Sequence, residues 1–412
     1  RIEGEDLWSP TLSLAGFRVI LARHLLLGRS LEVTDITSAY LQEDWPEPTY
    51  VVLPDTIWRH LPDHLQPTHL PSWGLAPSSG GPPRIVWKMR KCQYGHPRSG
   101  ALFIRSWIRQ LVSHGWVQNA ADEAILYRRN DNGPDEVFGS YVDDAITEYE
   151  KQGVLGNPEL GHATQGVLGN PVRHGPSDEV PEQVRTPWQQ LAGKFEFAAP
   201  TALSAYIGMH VAQHEDATYR YADIDMSAYV LLIIEDFDSH FPDAIEYSSV
   251  PCIFDIFSID DNDEELRPAY TLKPRQESLA RKIHDGCHTE FCQHIIGMLL
   301  WVSRCGRWEI AYAVCVLSSR IHKWDLRASF SLITLISYLR SEPYCVLRLT
   351  VAKAERLSDL KVTVDSDSDH GVNRSQSCTY VCLSGPKGTS IPLEYATKRQ
   401  HFGANSTAWA EL

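Results

Sequence analysis

The sequence predicts an α+β protein of two or three packed units. Three observations carry this expectation. The chain has 412 residues, too many for one compact core. Its first part mixes runs of helical spacing with short alternating runs, the stretch from Leu279 to about Leu339 reads as helical, and strand-like alternation returns from Leu360. The apolar fraction of 43% and the charged fraction of 22% are those of an ordinary globular chain.

In chain order, Leu14, Phe17, Leu21 and Leu25 lie at helical spacing, and Gly28 is placed to cap that helix. Leu31 to Asp35 alternates as a strand and ends on a carboxylate. Leu53 to Pro83 is rich in Pro, Gly and Ser, and Ser78 to Pro83 reads as loop. Ile104, Ile108, Leu111 and Val112 form one face of a second helix that Gly115 ends. Val137 to Tyr141 and Val142 to Ile146 read as strand, tight turn and strand, with Asp143 and Asp144 at the turn. QGVLGNP then occurs at Gln152 to Pro158 and again at Gln165 to Pro171, a tandem duplication too short and too rich in Gly and Pro for a solenoid. Asp255 to Glu265 carries six acidic residues without the glycine of a calcium loop, and reads as a solvated linker. After the helical stretch, Lys361 to Asp365, Tyr380 to Leu383 and Leu393 to Ala396 read as three strands.

Composition narrows the function classes. No apolar run approaches the roughly 18 residues of a membrane span; Ala228 to Ile234 and Ile295 to Val302 have buried-core lengths. The chain opens on Arg1 without a secretory pattern and reads as a fragment of a longer intracellular product. Nine cysteines, an odd number with no CxxC pair, argue for a reducing compartment. Cys287, His288, Cys292 and His294 cluster, but their helical flanks and the lack of a second ligand pair favour a helix with incidental polar residues over zinc. A net charge of −14 is unfavourable for phosphate binding. Between Arg84 and Arg129, however, nine Lys and Arg stand against Asp122 and Glu123, a local balance of +7 that reads either as a phosphate footprint or as a solvated face.

Asp35 at a strand end and the Asp143–Asp144 pair on a hairpin suit one chemistry. Phosphoryl transfer by two magnesium ions about 3.5–4 Å apart needs hard oxygen donors on rigid elements. Each motif alone is weak, because Asp favours turns for its own backbone reasons.

The strings YVDD at Tyr141 to Asp144 and DITSAYLQ at Asp35 to Gln42 resemble the hairpin motif and the first catalytic motif of copia-type LTR-retrotransposon reverse transcriptases. EGEDLWSPT, VWKMRKCQYGHPRSGALF, ADEAILYRR, LSAYIGMHV and RWEIAYAVCVLSSR follow in family order, and LKVTVDSDSDHG with STAWAEL resembles the opening of the RNase H module. The resemblance implies a right-hand polymerase: fingers and a ferredoxin-like palm over residues 1–265, a helical thumb and connection over 266–355, and a truncated RNase H-like unit over 356–412.

The resemblance further implies that Asp35, Asp143 and Asp144 hold two Mg²⁺ ions, for which Mn²⁺ can substitute, with Asp144 the less direct ligand. Tyr40 would select against a ribose 2′-OH, and Tyr94 and Gly95 would border the incoming nucleotide. Lys88, Arg90, Lys91 and Arg98 would meet template or triphosphate phosphates. Partners would be an RNA template, a DNA primer and dNTPs, with no membrane, in a cytoplasmic particle or the nucleus. Asp367 matches the first RNase H carboxylate, with Asp365 and Asp369 as alternatives, and Glu411 matches its helix glutamate; that unit is expected to be inactive and marginally folded. The chain departs from the family at His96 to Gly100, where Lys-Gln-Ala-Pro is usual, and at Trp308-Glu309, where Pro-Asp is usual. These departures point to a decaying or host-captured copy, while the intact carboxylates favour an active polymerase over a catalytically dead, nucleic-acid-binding relic.

Overall fold

The structure is a computed structural model that describes residues 7–52, 57, 60–65, 75–76, 84–130, 133–150, 186–242, 247–252, 274–285, 289–368 and 376–400. The loop at 78–83, the QGVLGNP copies, the acidic 255–265 segment, Cys287, His288, Asp369 and Glu411 lie outside the described residues. Helix and strand are mixed, as α+β requires.

The strands are β1 (Ser30–Asp35), β2 (Tyr50–Val52), β3 (Leu75–Ala76), β4 (Arg84–Lys88), β5 (Val117–Gln118), β6 (Ile125–Arg128), β7 (Glu136–Tyr141) and β8 (Asp144–Tyr149). They continue as β9 (Thr201–Ala202), β10 (Ala205–Tyr206), β11 (Met209–Glu215), β12 (Tyr219–Asp225), β13 (Val346–Ala352), β14 (Lys361–Ser368), β15 (Gln376–Ser384) and β16 (Ser390–Arg399). Three sheets result, ordered β5-β6-β7-β8-β1-β9, β10-β11-β12-β13-β16-β15-β14 and β2-β4-β3.

The chain divides into two compact units, each discontinuous in sequence. The first draws its described residues from within Arg1–Leu12, Thr34–Ile146 and Gln152–Pro200. Its core is aromatic. The helix Ser99–Ser113 turns Phe103, Ile104, Trp107 and Leu111 inward, where they meet Trp116, Phe138, Trp188 and Phe195. Trp107 lies 4.9 Å from Phe195 and 5.7 Å from Phe138, in edge and tilted geometries that favour ring quadrupoles. Burying each such ring stabilises by roughly 1.5–3 kcal/mol, so Trp107→Ala would cost about 3–5 kcal/mol. Val112, expected on this face, is instead 48% exposed, because Phe103 and Trp107 set the inward direction. Gly115 ends the element with φ 83°, as expected.

The second unit draws on Ser13–Val33, Thr147–Lys151 and Thr201–Leu412. The helix Leu14–Leu27 is capped by the Ser13 side chain, which accepts from the Gly16 amide, a contact of about 1 kcal/mol. Gly28 closes it at φ 66°, as the sequence indicated, and Phe17, Ile20, Leu21 and Leu25 are buried. This helix packs on β12, β13 and β16. From it the buried Arg18 donates to the carbonyls of Leu393, Arg304 and Cys305 at 2.7, 2.7 and 2.9 Å, and burial lowers its pKa to about 10.

The helical stretch resolves into Pro274–Asp285, Thr289–Cys305, Ala311–Ser319 and Leu326–Ser341. In Ser227–His240, Val230, Ile233 and Phe237 are buried, whereas Leu231 and Leu232, expected inside, are 43% and 50% exposed on the opposite face. The seven-stranded sheet takes strands from all three segments that the resemblance separates. β10 to β12 come from the first segment, β13 from the second and β14 to β16 from the third, with Thr350 of β13 paired to Ser390 of β16. The last three strands therefore continue a larger sheet, in which Ile391 and Leu393 are buried.

Candidate active site

The acidic residues Asp35, Asp143 and Asp144, together with Tyr40 and the basic segment, all belong to the first unit. At the end of β1 Thr34 is buried, and the next residue, Asp35, points to the other face and is exposed. The backbone there is fixed from two sides. The Ile36 amide donates to the Asp143 carbonyl at 2.9 Å, and the Ala198 amide donates to the Asp35 carbonyl at 3.0 Å. The Thr34 hydroxyl reinforces the second tie by donating to the Ala198 carbonyl at 2.6 Å.

The hairpin between β7 and β8 turns at Val142 and Asp143. Val142 has φ 59°, a left-handed conformation that a β-branched residue rarely adopts. That conformation sets the turn at Val142 and Asp143, so Asp144, expected at the turn, instead opens the second strand. Ala145 and Ile146 are fully buried and anchor β8, and the Leu12 amide holds β7 through the Ser140 carbonyl at 2.8 Å. Ser38, three residues past Asp35, is also left-handed, with φ 51°. Strained backbone thus flanks both acidic segments.

The three carboxylates feel one another. Burial raises the Asp144 pKa to about 6, with the charges of Asp143 and Asp35 adding to the shift. Asp35 is raised too, first by burial and then by Asp143. Among the described residues, no three His, Cys, Asp or Glu side chains converge closely enough to hold a metal ion as they stand. The donor set nonetheless fits hard divalent cations: it is all oxygen, it sits on strand ends, and its like charges are mutually unfavourable.

Tyr40 is half-buried beside this cluster. Burial, Asp143 and Tyr94 all push its hydroxyl pKa up. Its ring lies 4.6 Å from that of Tyr94 and 6.1 Å from that of Phe103. A Cβ on Gly100 would come within 3.2 Å of the Tyr40 hydroxyl, so Gly100 makes room for the ring. Tyr94 is 55% exposed, and Gly95 turns the chain at φ 88°.

The basic segment divides. Lys88 and Arg90 are exposed. Lys91 pairs with Asp44 at 2.8 Å on the surface. Arg98 donates to Glu47 at 2.8 Å and lies 5.6 Å over Trp45. Arg128 is bound by Glu136 and covers Trp116. Several of the nine cations are therefore committed to structural partners, which local charge balance does not reveal.

Sequence reasoning missed Trp45, Glu47 and Gln42 as determinants of this region. Gln42 donates to the carbonyls of Thr37 and Glu196, both at 2.6 Å, and accepts from the Glu196 amide at 2.7 Å. It clasps the chain after Asp35 to the segment holding Ala198. Its place in DITSAYLQ was the available signal; nothing pointed to residues 196–198.

In the second unit, Asp367 lies exposed on β14, opposite Cys378 of β15. Cys292 is buried in its helix, and the exposed His294 faces Asp236 at 3.1 Å.

No protein-family model matches the chain, and no curated protein matches it.

Proposed function

We propose that the chain is an RNA-directed DNA polymerase of the copia type, with a right-hand arrangement of fingers, ferredoxin-like palm and helical thumb, joined to a partial RNase H-like unit. The observation that carries this reading is the tie between the end of β1 and the β7–β8 turn, which sets Asp35 beside Asp143 and Asp144. The reaction joins a primer 3′-oxygen to the α-phosphorus of a dNTP, while the bond to the departing pyrophosphate breaks. When bound, Mg²⁺ supplies charge stabilisation to the attacking and leaving oxygens.

Asp35, Asp143 and Asp144 are the residues that would hold it. Asp144, with its carboxyl raised to about 6, is protonated more readily than an ordinary aspartate and suits the less direct role. Tyr40, braced by Phe103 and Tyr94, presents a rigid ring where the nucleotide sugar would lie. Of the cations named for phosphate contact, Lys88 and Arg90 are exposed, whereas Arg98 is held by Glu47 and Lys91 pairs with Asp44. Catalysis on this reading is positioning plus electrostatics, with no covalent intermediate.

A second reading, a nucleic-acid-binding relic without catalysis, is favoured by the occupied Arg98 and by the departures at His96 to Gly100. Primer extension on an RNA template with Mg²⁺, against an Asp143→Asn/Asp144→Asn chain, separates the two. Incorporation lost in the variant supports the polymerase. Folded protein that binds RNA in a salt-sensitive way without incorporation leaves the relic.

A further inference from the structure

We infer that β14 is a self-association edge, which pairs antiparallel with β14 of a second copy about a two-fold axis through Thr363. β14 ends the seven-stranded sheet, and among the described residues no strand lies on its outer side. It is regular over its whole length, paired to β15 from Lys361–Ser384 through Ser368–Ser377, so its free edge presents an unbroken row of backbone groups. Lys361 through Asp367 are all exposed, with Val362 at 62% and Val364 at 60%.

The sequence of this edge complements itself. A two-fold axis perpendicular to a sheet keeps its faces, so residues of equal parity must pair. With Thr363 on the axis, Lys361 meets Asp365, Val362 meets Val364 and Thr363 meets Thr363, each of the first two pairs occurring twice. Opposite charges, β-branched side chains and threonine pairs are the cross-strand combinations that stabilise antiparallel ladders. Moving the axis to Val364 sets Val362 against Ser366, and moving it to Asp365 sets carboxylate against carboxylate. The Val364 register still pairs Lys361 with Asp367, but it also sets Thr363 against Asp365, whereas the Thr363 register matches every position from Lys361 to Asp365. Edge strands are commonly kept apart by Pro, a bulge or charged side chains; β14 has neither Pro nor a bulge, and its charges are of both signs, so they attract in the Thr363 register. Five residues from each copy form a small interface, so the dimer is weak and concentration-dependent.

Analytical ultracentrifugation of the whole chain tests this. The native chain should show a monomer–dimer equilibrium that weakens with added salt. Lys361→Asp, which opposes two like-charge pairs, should weaken dimerisation about ten-fold or more, as should Asp365→Lys, and the double exchange should recover most of the loss. Thr363→Cys should form an intermolecular disulfide under oxidising conditions, because directly opposed residues lie within bridging distance. This capture needs no charge change and serves where a charge variant misfolds by near-UV circular dichroism. A chain that stays monomeric at all concentrations overturns the proposal. So does a dimer indifferent to both reversals whose Thr363→Cys form fails to cross-link, since it must then use another surface.

Discussion

The amide of Ile36 donates to the carbonyl of Asp143 across 2.9 Å. One backbone hydrogen bond thus fixes the residue after the first acidic position to the second. The acceptor is held at this point by the turn conformation of the preceding Val142, at φ 59°. For a side chain with a Cβ, such a conformation costs roughly 1–2 kcal/mol.

That strain gives the first prediction. Val142→Gly relieves the steric cost and adds back about 0.5–1 kcal/mol of chain entropy, so stability should hold or rise slightly. On the polymerase reading, primer extension should fall, because glycine no longer restricts the turn that aims Asp143. Urea denaturation and extension rates on the same preparation read both effects. A loss of stability above about 1 kcal/mol would show that the valine side chain, not its backbone, matters there.

The raised Asp144 predicts a pH dependence in chelated, metal-free protein. An acid with a folded pKa above its unfolded value binds the proton more tightly when folded. Its contribution is fully present below the ordinary aspartate value of 3.8 and is lost as pH rises through about 6. Asp35, shifted the same way, adds to this. The stability of the native chain relative to Asp144→Asn should therefore fall across this window, and Mg²⁺ should restore more of it at neutral pH than at acidic pH. Parallel stability profiles for the two proteins would remove the basis for a shared carboxylate cluster.

Gly100 and Tyr40 should be energetically coupled. An added methyl at Gly100 lies 3.2 Å from the Tyr40 hydroxyl and 3.6 Å from that of Ser9. Alanine also gains about 1 kcal/mol of helix propensity, so the single Gly100→Ala change has opposing terms. Tyr40→Phe removes the atom in conflict. In a double-mutant cycle Gly100→Ala should be more favourable by at least about 0.5 kcal/mol in the Tyr40→Phe background. On the polymerase reading, Gly100→Ala alone should also change the KM for dNTPs more than kcat. Additive stabilities would mean that the ring moves away without cost.

The sequence was most informative where one local signal settles the structure. Gly28 and Gly115 ended their helices as expected, because a left-handed residue after a helical run has few alternatives. The hairpin at Asp143 was legible too, since two β-prone runs bracket it, although Asp144 opens the second strand rather than sitting in the turn. What escaped was decided by distant partners. Arg98 looked free to bind phosphate until Glu47 and Trp45 were brought beside it, and Val112 looked internal until Trp107 and Phe103 claimed the buried face. The joining of β16 to β13 was also hidden, because nothing in an isolated strand states its neighbour. The same holds for Gln42, whose partners at Glu196 lie far along the chain.

The final prediction concerns Glu148 in the second unit. Its side chain is fully buried between Arg23, at 3.2 Å, and Arg29, at 3.1 Å. Burial raises its pKa while both guanidiniums oppose the shift, so the carboxylate depends on its two partners. Glu148→Gln leaves two cations facing a neutral amide in a nearly dry site. The loss should be about 3–5 kcal/mol, far more than for a surface pair. Arg23→Gln should cost less, because Arg29 still pairs with the carboxylate. If the penalty of Glu148→Gln comes from stranded charge rather than lost packing, combining Glu148→Leu with Arg29→Leu should destabilise by clearly less than the sum of the two single changes. Urea midpoints for the four proteins decide between these outcomes, and additivity would assign the site to packing alone.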